Sequence, residues 1–284
     1  MLAFHNDSKA GVTMISPKHS STRRTARVTF TMAVPALLLL GACSDSRVSK
    51  LEAQVQELSA KLNATQDSVT RLEDVKAIEK LQRAYGYFVD KALWSQIVEL
   101  FTDDGTVQLG GGGLYKGKEG VARQFQMGFG QGMGRGAGKD GLRKGVLFNH
   151  PQLQGIVDID ADGKTAHGRW RTLAQAAWQE RPVAFWNEGL YENEYVKENG
   201  VWKIKHMKFW STYFTNYYEG WDKQKKPVLG GERSVVKSDK NPFGPDEQTA
   251  IEDANSQYPE HYFVPPFHYP NPVSGKPIPA PEPF

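Results

Sequence analysis

Two pairs of β-rich segments, each pair joined by a two-residue turn signal, constrain the fold of this 284-residue chain more than any other feature. Asp162-Gly163 separates residues 152–160 from 165–178, and Asn199-Gly200 separates residues 183–197 from 201–214. Asp-Gly and Asn-Gly readily adopt the positive φ angles that tight hairpin turns require. The second half of the chain is therefore predicted to form long antiparallel hairpins.

The segment before these hairpins carries helical patterns. Apolar residues recur there every three or four positions, which is the spacing of one helical face: Ile78, Leu81, Tyr85 and Phe88, then Trp94, Ile97, Val98 and Phe101. Asp103-Asp104-Gly105 predicts the end of the second helix, and a strand is predicted to begin at Thr106. Helices followed by long antiparallel strands predict an α+β domain with a curved antiparallel sheet.

A glycine-rich segment, residues 110–145, separates the predicted helices from the hairpins. Glycine disfavours both helix and strand, so this segment is predicted to be a flexible loop, and a lid over a cavity is its functional interpretation. Gly112, Gly117 and Lys118 have the spacing of a phosphate-binding loop. Glu119 stands where that loop places a hydroxyl residue, and its charge would repel phosphate, so phosphate binding is not expected.

An apolar seven-residue repeat runs through residues 48–72. Position a holds Val48, Val55, Leu62 and Val69, and position d holds Leu51, Leu58, Thr65 and Leu72. A narrow stripe of this kind predicts a coiled coil, with a solvated linker helix as the alternative. β-Branched residues at a with leucine at d favour two strands, but Thr65 weakens that preference and leaves the number of strands open.

The N-terminal region has the features of a secretion signal. Arg23, Arg24 and Arg27 precede an apolar run, residues 32–40, that is too short to span a bilayer. The motif Leu40-Gly41-Ala42-Cys43 resembles the lipobox of bacterial lipoproteins, which implies cleavage before Cys43 and a lipid on its sulfur. An ordinary signal peptide with a chance cysteine is the alternative. Position 44, directly after the cysteine, is Ser and not Asp. By analogy with bacterial lipoproteins, this implies an anchor in the outer membrane, facing the periplasm.

The charge balance gives no reason to expect a nucleic-acid partner. Residues 1–43 hold five of the 35 Lys and Arg residues and one of the 32 Asp and Glu residues, so the net charge of +3 becomes −1 without them. No basic field remains to attract phosphate backbones. The predicted organisation is a signal peptide, a coiled-coil stalk, a globular domain and an extended Pro-rich arm, at residues 1–43, 44–73, 74–221 and 222–284.

The globular segment resembles the SnoaL-like group of the cone-shaped NTF2-like superfamily. Three stretches carry the resemblance: AIEKLQRAYGYFVDKALWSQIVELFTDDGTVQL, YKGKEGVARQF and NGVWKIKHMKF. Together they cover roughly residues 74–214. The resemblance implies a bent sheet wrapped around helices with one deep apolar pocket. The superfamily includes dehydratases, isomerases, cyclases and binding proteins, so the fold alone does not name a reaction. The scytalone dehydratase branch, which forms trimers, implies a trimer in preference to a dimer.

Two residues are predicted to transfer protons in that pocket. Asp90 follows the apolar residues Tyr87, Phe88 and Val89 near a helix C-terminus, where the helix dipole disfavours a carboxylate. Desolvation there would raise its pKa and suit acid/base work, with an exposed helix-end aspartate as the alternative. The resemblance to scytalone dehydratase places His150 as a cavity histidine, and a surface-loop histidine is the alternative.

The remaining candidates are predicted to line the substrate pocket. Alternation along the last strand puts His206, Lys208 and Trp210 on one face, and Lys208 is predicted to be a catalytic partner for a phenolate. The preceding strand presents Tyr191 and Asn193 in the same way, and Tyr85 and Tyr87 are the helical candidates. The chain departs from the dehydratase pattern in two respects. Residues 172–177 read TLAQAA where the resemblance implies a second cavity histidine, and the region after the second helix is glycine-rich where it implies a tyrosine.

No residue pattern for a metal or a nucleotide is present, so cofactor-free chemistry is expected. The seven histidines are scattered without metal-ligand spacing. The chain also resembles, more loosely, the lyases that remove formaldehyde from lignin-derived diaryl dimers. The expected function is therefore a lipid-anchored lyase that forms a stilbene from a small phenolic substrate. The alternatives are a dehydratase or isomerase of the same fold, a non-catalytic binding protein for a hydrophobic molecule, and a structural envelope protein.

Overall fold

A computed structural model describes residues 36–109, 113–180, 183–223, 236–249, 258 and 265–279, with side chains from residue 45. The predicted signal segment before residue 36 and the side chain of Cys43 lie outside the described residues. The chain divides into two compact units, one ending at Ala60 and the other beginning at Lys61.

The first element is the helix α1, Ala36–Asp90. Its heptad residues between Val48 and Leu72 are exposed to solvent, with Leu62 at 68% and Leu58 at 65% exposure. From Asp74 onwards the helix buries one face, on which Ile78 and Tyr85 are almost fully enclosed. The coiled coil stays a prediction, and the apolar stripe that motivates it has no cover within the described residues.

The second unit is an α+β domain built on one curved mixed sheet. Its further helices are α2 (Trp94–Glu99), α3 (Gly117–Ala122), a π-helix (Arg123–Phe129), α4 (Gly130–Gly132) and a 3-10 turn (Trp221–Lys223). Its strands are β1 (Phe101–Leu109), β2 (Gly113–Lys116), β3 (Val146–Asn149), β4 (Leu153–Ile159), β5 (Thr165–Trp178), β6 (Val183–Glu198), β7 (Val201–Asn216) and β8 (Glu247–Gln248). The described strands follow the order β3-β5-β6-β7-β1-β2-β8, and β4 also pairs with β5.

The two hairpin predictions are confirmed. β4 and β5 pair antiparallel across Gly163, and β6 and β7 pair antiparallel across Asn199-Gly200. Gly163, Asn199 and Gly200 have φ values of 66°, 51° and 80°, which is the left-handed region that favours Gly and Asn. The sheet is not wholly antiparallel, however, because β1 joins the edge of β7 in parallel. β1 also begins at Phe101, five residues before the predicted start.

The glycine-rich segment is not a loop throughout, which corrects that prediction. Residues 110–112 lie outside the described residues, but β2, α3, the π-helix and α4 follow them directly. Val121 and Phe125 are fully buried there, and this burial outweighs the low helix propensity of the glycines. Gly120 is needed for close packing, since an added Cβ would lie 3.0 Å from the backbone carbon of Tyr115.

A β-bulge in β7 changes which residues face the domain interior. Ile204 pairs with Tyr195 and His206 pairs with Glu194, so Lys205 is an extra residue on β7. Trp202 and Ile204 are buried before the bulge, whereas Met207 and Phe209 are buried after it. We call this buried side of the sheet, which also carries Trp170 and Tyr191, the inner face, and the opposite side the outer face.

The C-terminal segment 265–279 has neither helix nor strand and contacts the outer face at Arg169. The Arg169 guanidinium donates to the Pro265 carbonyl at 2.9 Å and lies 3.9 Å from the centre of the Phe267 ring. His268 places its two ring nitrogens 2.8 Å from Glu192 and 3.1 Å from Asp158. These contacts give part of the predicted Pro-rich arm a defined position on the domain.

Candidate active site

His150 lies directly after β3 and is enclosed by the inner face, with 6% exposure. Asp90 is the last residue of α1, and its Oδ1 accepts a hydrogen bond from the His150 backbone N–H at 2.5 Å. Asp90 therefore holds the backbone of His150 in place. Among the described residues this is the one hydrogen bond that Asp90 makes, which leaves its Oδ2 available.

Two tyrosines extend from the His150 ring into the core. The Tyr191 hydroxyl lies 3.1 Å from His150 Nε2, and the Tyr85 hydroxyl lies 3.2 Å from that of Tyr191. The three rings meet edge to face, with centroids 5.8–5.9 Å apart. Phe125 and Phe148 pack against this trio, so its polar atoms lie in an aromatic shell.

A chain of amide side chains leads to the other ring nitrogen of His150. The Lys208 backbone N–H donates to Asn193 Oδ1 at 3.3 Å, and Asn193 Nδ2 donates to Gln82 Oε1 at 3.0 Å. Gln82 Nε2 donates to Gln152 Oε1 at 2.7 Å, and Gln152 Nε2 lies 3.0 Å from His150 Nδ1. The Lys208 backbone N–H can only donate, so it fixes Asn193 with its oxygen as the acceptor. Each following amide then accepts with its oxygen and donates with its nitrogen, up to His150.

The orientation of the chain determines where the protons lie. Because Gln152 donates to Nδ1, a neutral His150 carries its proton on Nε2 and donates it to the Tyr191 oxygen. Tyr191 then donates to the Tyr85 oxygen. The hydroxyl proton of Tyr85 is thus the free end of the chain within the described residues. The site ends in a buried proton donor.

The protonation states agree with this arrangement. Burial lowers the pKa of His150 to about 4, so the imidazole is neutral at neutral pH. Burial raises the pKa values of Tyr85 and Tyr191, which keeps both hydroxyls protonated. Desolvation also raises the pKa of Asp90, against the opposing effect of its bond to the His150 N–H, which makes its carboxylate a stronger base than an exposed aspartate.

A pH dependence of stability follows from the burial of His150. Its folded-state pKa of about 4 lies below the ordinary value of 6.5. Below about pH 6.5 the unfolded chain takes up a proton that the folded chain cannot bind until about pH 4, so stability falls as the pH falls through this window. The shift corresponds to about 3 kcal/mol of unfolding free energy.

Urea unfolding at about pH 7 and about pH 4.5 measures this loss. The wild type should lose about 2 kcal/mol more than His150→Gln, because glutamine does not titrate. His167→Gln, at a more exposed position, is the control and should not reduce the acid sensitivity. An equal loss in the wild type and His150→Gln would contradict the assignment of a buried neutral His150.

The structure brings together five of the predicted site residues and separates the other four. Asp90, His150, Tyr85, Tyr191 and Asn193 belong to one connected cluster. The prediction for Tyr87 is wrong, since Tyr87 lies on the opposite face of α1 from Tyr85 and is 72% exposed. The remaining three, His206, Lys208 and Trp210, lie on the outer face of the sheet.

His206, Lys208 and Trp210 line a groove of about 250 Å³ on the outer face, together with Glu194 and the docked C-terminal segment. Their placement in the interior was predicted from unbroken alternation along β7, and the bulge at Lys205 reverses that alternation. His206 Nδ1 lies 2.5 Å from the Thr106 hydroxyl there. The Lys208 ammonium lies 4.5 Å from the centre of the Trp210 ring. The prediction that Lys208 is a catalytic residue of the interior pocket is therefore wrong.

Gln82 and Gln152 are site residues that the sequence reasoning missed. Gln82 is fully buried and precedes Tyr85 by three positions, which puts both on one helical face. A glutamine on the apolar face of an amphipathic helix is the signal that could have found it. Gln152 follows His150 by two positions, but its contact with Gln82 joins the segment between β3 and β4 to α1 and has no local signal.

The curved sheet enclosing a buried polar cluster defines an α+β domain of the NTF2-like type. Residues 70–208 match the model of the SnoaL-like domain family. No curated protein matches the chain significantly. In the described residues, no helix is long and apolar enough to cross a membrane, and no group of His, Cys, Asp and Glu side chains is arranged to hold a metal ion.

Three solved structures illustrate the range of proteins that the chain is similar to. A provisionally assigned scytalone dehydratase from Novosphingobium aromaticivorans DSM 12444 has 20% identity and a TM-score of 0.45, covering 61% of this chain and 99% of that chain. The hexachlorocyclohexane dehydrochlorinase LinA-type3 from Novosphingobium barchaimii LL02 has 20% identity and a TM-score of 0.45, covering 60% and 99%. An NTF2-like protein with a cystatin-like fold from Novosphingobium aromaticivorans has 17% identity and a TM-score of 0.41, covering 50% and 83%.

Proposed function

We propose that the SnoaL-like domain is a cofactor-independent lyase that acts by proton transfer on a small phenolic substrate. The observation that carries the proposal is the oriented hydrogen-bond chain through His150 and Tyr191 to the Tyr85 hydroxyl. Asp90, a carboxylate whose pKa is raised, bonds the His150 backbone and so belongs to the same cluster as this proton donor. An acid and a base in one cluster suffice for elimination chemistry when the substrate provides its own electron sink.

The substrate class that fits this requirement is a 1,2-diarylpropane-1,3-diol with a free para-phenol. Loss of the phenol proton to solvent expels the benzylic hydroxyl as water, with Tyr85 supplying the second hydrogen of that water, and a quinone methide forms. Asp90 then takes the proton of the terminal hydroxyl, and the C–C bond breaks towards the quinone methide. Solvent then takes the proton from Asp90 and returns one proton each to Tyr85 and to the product phenolate. The products are a stilbene, formaldehyde and water, so no oxidant or reductant is consumed.

Incubation of the purified protein with such a diol, followed by ultraviolet absorbance and a formaldehyde assay, tests the proposal. We expect a conjugated stilbene band and one formaldehyde per stilbene. A conjugated product without formaldehyde would instead identify a dehydratase or isomerase. Quenching of tryptophan fluorescence without any product would identify a binding protein and contradict the lyase.

The proposal includes a lipid anchor at Cys43, supported by the motif that ends there. Cys43→Ser removes the sulfur to which the lipid would be attached. This variant should appear in the soluble periplasmic fraction or stay unprocessed in the inner membrane when envelope fractions are separated. Ser44→Ala is the matched control and should stay with the outer membrane. Sedimentation of Cys43→Ser with outer membranes would contradict the anchor.

The stalk is proposed to hold a homotrimer together. Its support is the exposed apolar stripe of α1, on which Val55, Leu58 and Leu62 are each more than half exposed at 61%, 65% and 68%. Mass photometry of residues 44–284 should give the mass of a trimer. Replacing Leu58 and Leu62 with glutamate should shift dissociation to higher concentration, whereas Gln56→Glu, off the stripe, should not. A wild-type monomer at micromolar concentration would contradict the trimer.

A further inference from the structure

The Thr172 hydroxyl is a buried polar group that has no hydrogen-bond partner among the described residues. Thr172 is fully buried in the middle of β5. Valine has nearly the same shape and would avoid the cost of burying an unpaired hydroxyl. Another buried threonine, Thr102, has its hydroxyl bonded to Asp104 at 3.0 Å. The unpaired hydroxyl of Thr172 is therefore a feature that folding alone does not explain.

Strand register places Thr172 on the same face of the sheet as the proposed active site. Alternation along β5 puts it on the inner face between Trp170 and Ala174, and its partner on β6 is Gly189. The Phe209 ring covers this glycine, since an added Cβ at Gly189 would lie 2.4 Å from Phe209 Cζ. Phe209 in turn packs against Tyr191, with ring centroids 4.8 Å apart.

A second unpaired group, the Trp94 indole N–H, differs from Thr172 in its surroundings. An added Cβ at Gly134 would lie 2.8 Å from Trp94 Nε1, so the backbone of Gly134 already fills that space. This leaves no room for a ligand atom at Trp94. Lys208, the predicted phenolate partner, lies in the outer groove and cannot reach the interior. Thr172 is thus the better candidate for a substrate contact.

We propose that Thr172 is a substrate-binding residue whose hydroxyl bonds the phenolic hydroxyl on the second aromatic ring of the substrate. The inference rests on the proposed function for the identity of the substrate. Its chemistry is a neutral hydrogen bond in an aromatic enclosure, because a hydroxyl can both donate and accept. A substrate lacking this phenol would leave Thr172 unpaired and would bind less tightly.

Two diarylpropanediol probes test the inference. Both carry the phenol that the reaction requires, and they differ only in that one lacks the hydroxyl on the second ring. Tryptophan quenching measures binding, and all proteins compared carry Asp90→Asn so that the probes are not turned over. The protein with Thr172 should bind the doubly hydroxylated probe about ten-fold more tightly. Thr172→Val should remove this preference, and Thr172→Ser should retain it. Thermal unfolding should show Thr172→Val to be about 2–4 °C more stable, because an unpaired buried hydroxyl is gone.

Thr102→Val is the matched control, since it removes a bonded hydroxyl outside the site. It should lower stability and leave the preference between probes unchanged. A preference that survives in Thr172→Val, or a protein with Thr172 that binds the two probes equally or binds neither, overturns the inference. Binding and turnover are measured separately. A preference between the probes without any stilbene formation would support Thr172 as a substrate-binding residue and contradict only the proposed lyase activity.

Discussion

Replacing Asp90 with asparagine is expected to lower kcat on a phenolic diol by about two to four orders of magnitude, with KM close to the wild-type value. The substitution removes the base but keeps the shape of the side chain. The asparagine oxygen can still accept the hydrogen bond from the His150 backbone N–H. The variant should therefore fold normally and bind the aromatic skeleton through the same apolar contacts.

The rate of stilbene formation under single-turnover conditions measures the chemical step of this prediction. Asp104→Asn is the control, because Asp104 is an exposed carboxylate of the same domain that pairs with Lys205. It should leave the rate within about two-fold of the wild type, as expected for a surface substitution away from the site. Full turnover by Asp90→Asn on a confirmed substrate would refute Asp90 as the base.

Replacing Tyr85 with phenylalanine is expected to lower kcat by about two to three orders of magnitude. Tyr85 is the end of the donor chain, so its loss removes the proton that the departing oxygen requires. The phenyl ring keeps the edge contacts with Phe125 and His150. The rest of the chain, from Lys208 to His150, does not depend on the lost hydroxyl.

Tyr115→Phe is the control for this variant. Tyr115 is partly buried, and its hydroxyl donates to the Phe243 carbonyl at 3.3 Å, away from His150. Its loss should change stability slightly and leave kcat unchanged. A substrate whose leaving oxygen needs no protonation, such as a phenolate leaving group, should restore part of the rate in Tyr85→Phe. Absence of that restoration, with a large loss on the diol, would mean that Tyr85 acts by positioning only.

The hairpins could be predicted because their signals are local. Gly163 and Asn199-Gly200 require positive φ angles, which few residues other than Gly and Asn adopt readily. The helical face that carries Tyr85 was likewise readable from spacing alone. In contrast, the parallel pairing of β1 with β7 depends on long-range packing that no short segment encodes.

The errors in the predicted site have two physical causes. Unbroken alternation along β7 predicts His206, Lys208 and Trp210 on the inner face. The bulge inserts Lys205 as an extra residue, so these three side chains lie on the outer face instead. High glycine content predicts a loop at residues 110–145, but burial of Phe125 stabilises a helix in part of that segment. The amide chain through Gln82 and Gln152 joins distant elements, so its existence depends on the packed fold.

A crystal structure of the protein with the stilbene product bound would locate the ligand without assuming a rate. We expect the product on the inner face, with one oxygen within hydrogen-bond distance of the Tyr85 hydroxyl and Asp90 close to the side-chain carbons. A product bound instead in the outer groove of His206, Lys208 and Trp210, with no ligand at the Tyr85 hydroxyl, would contradict the proposed active site.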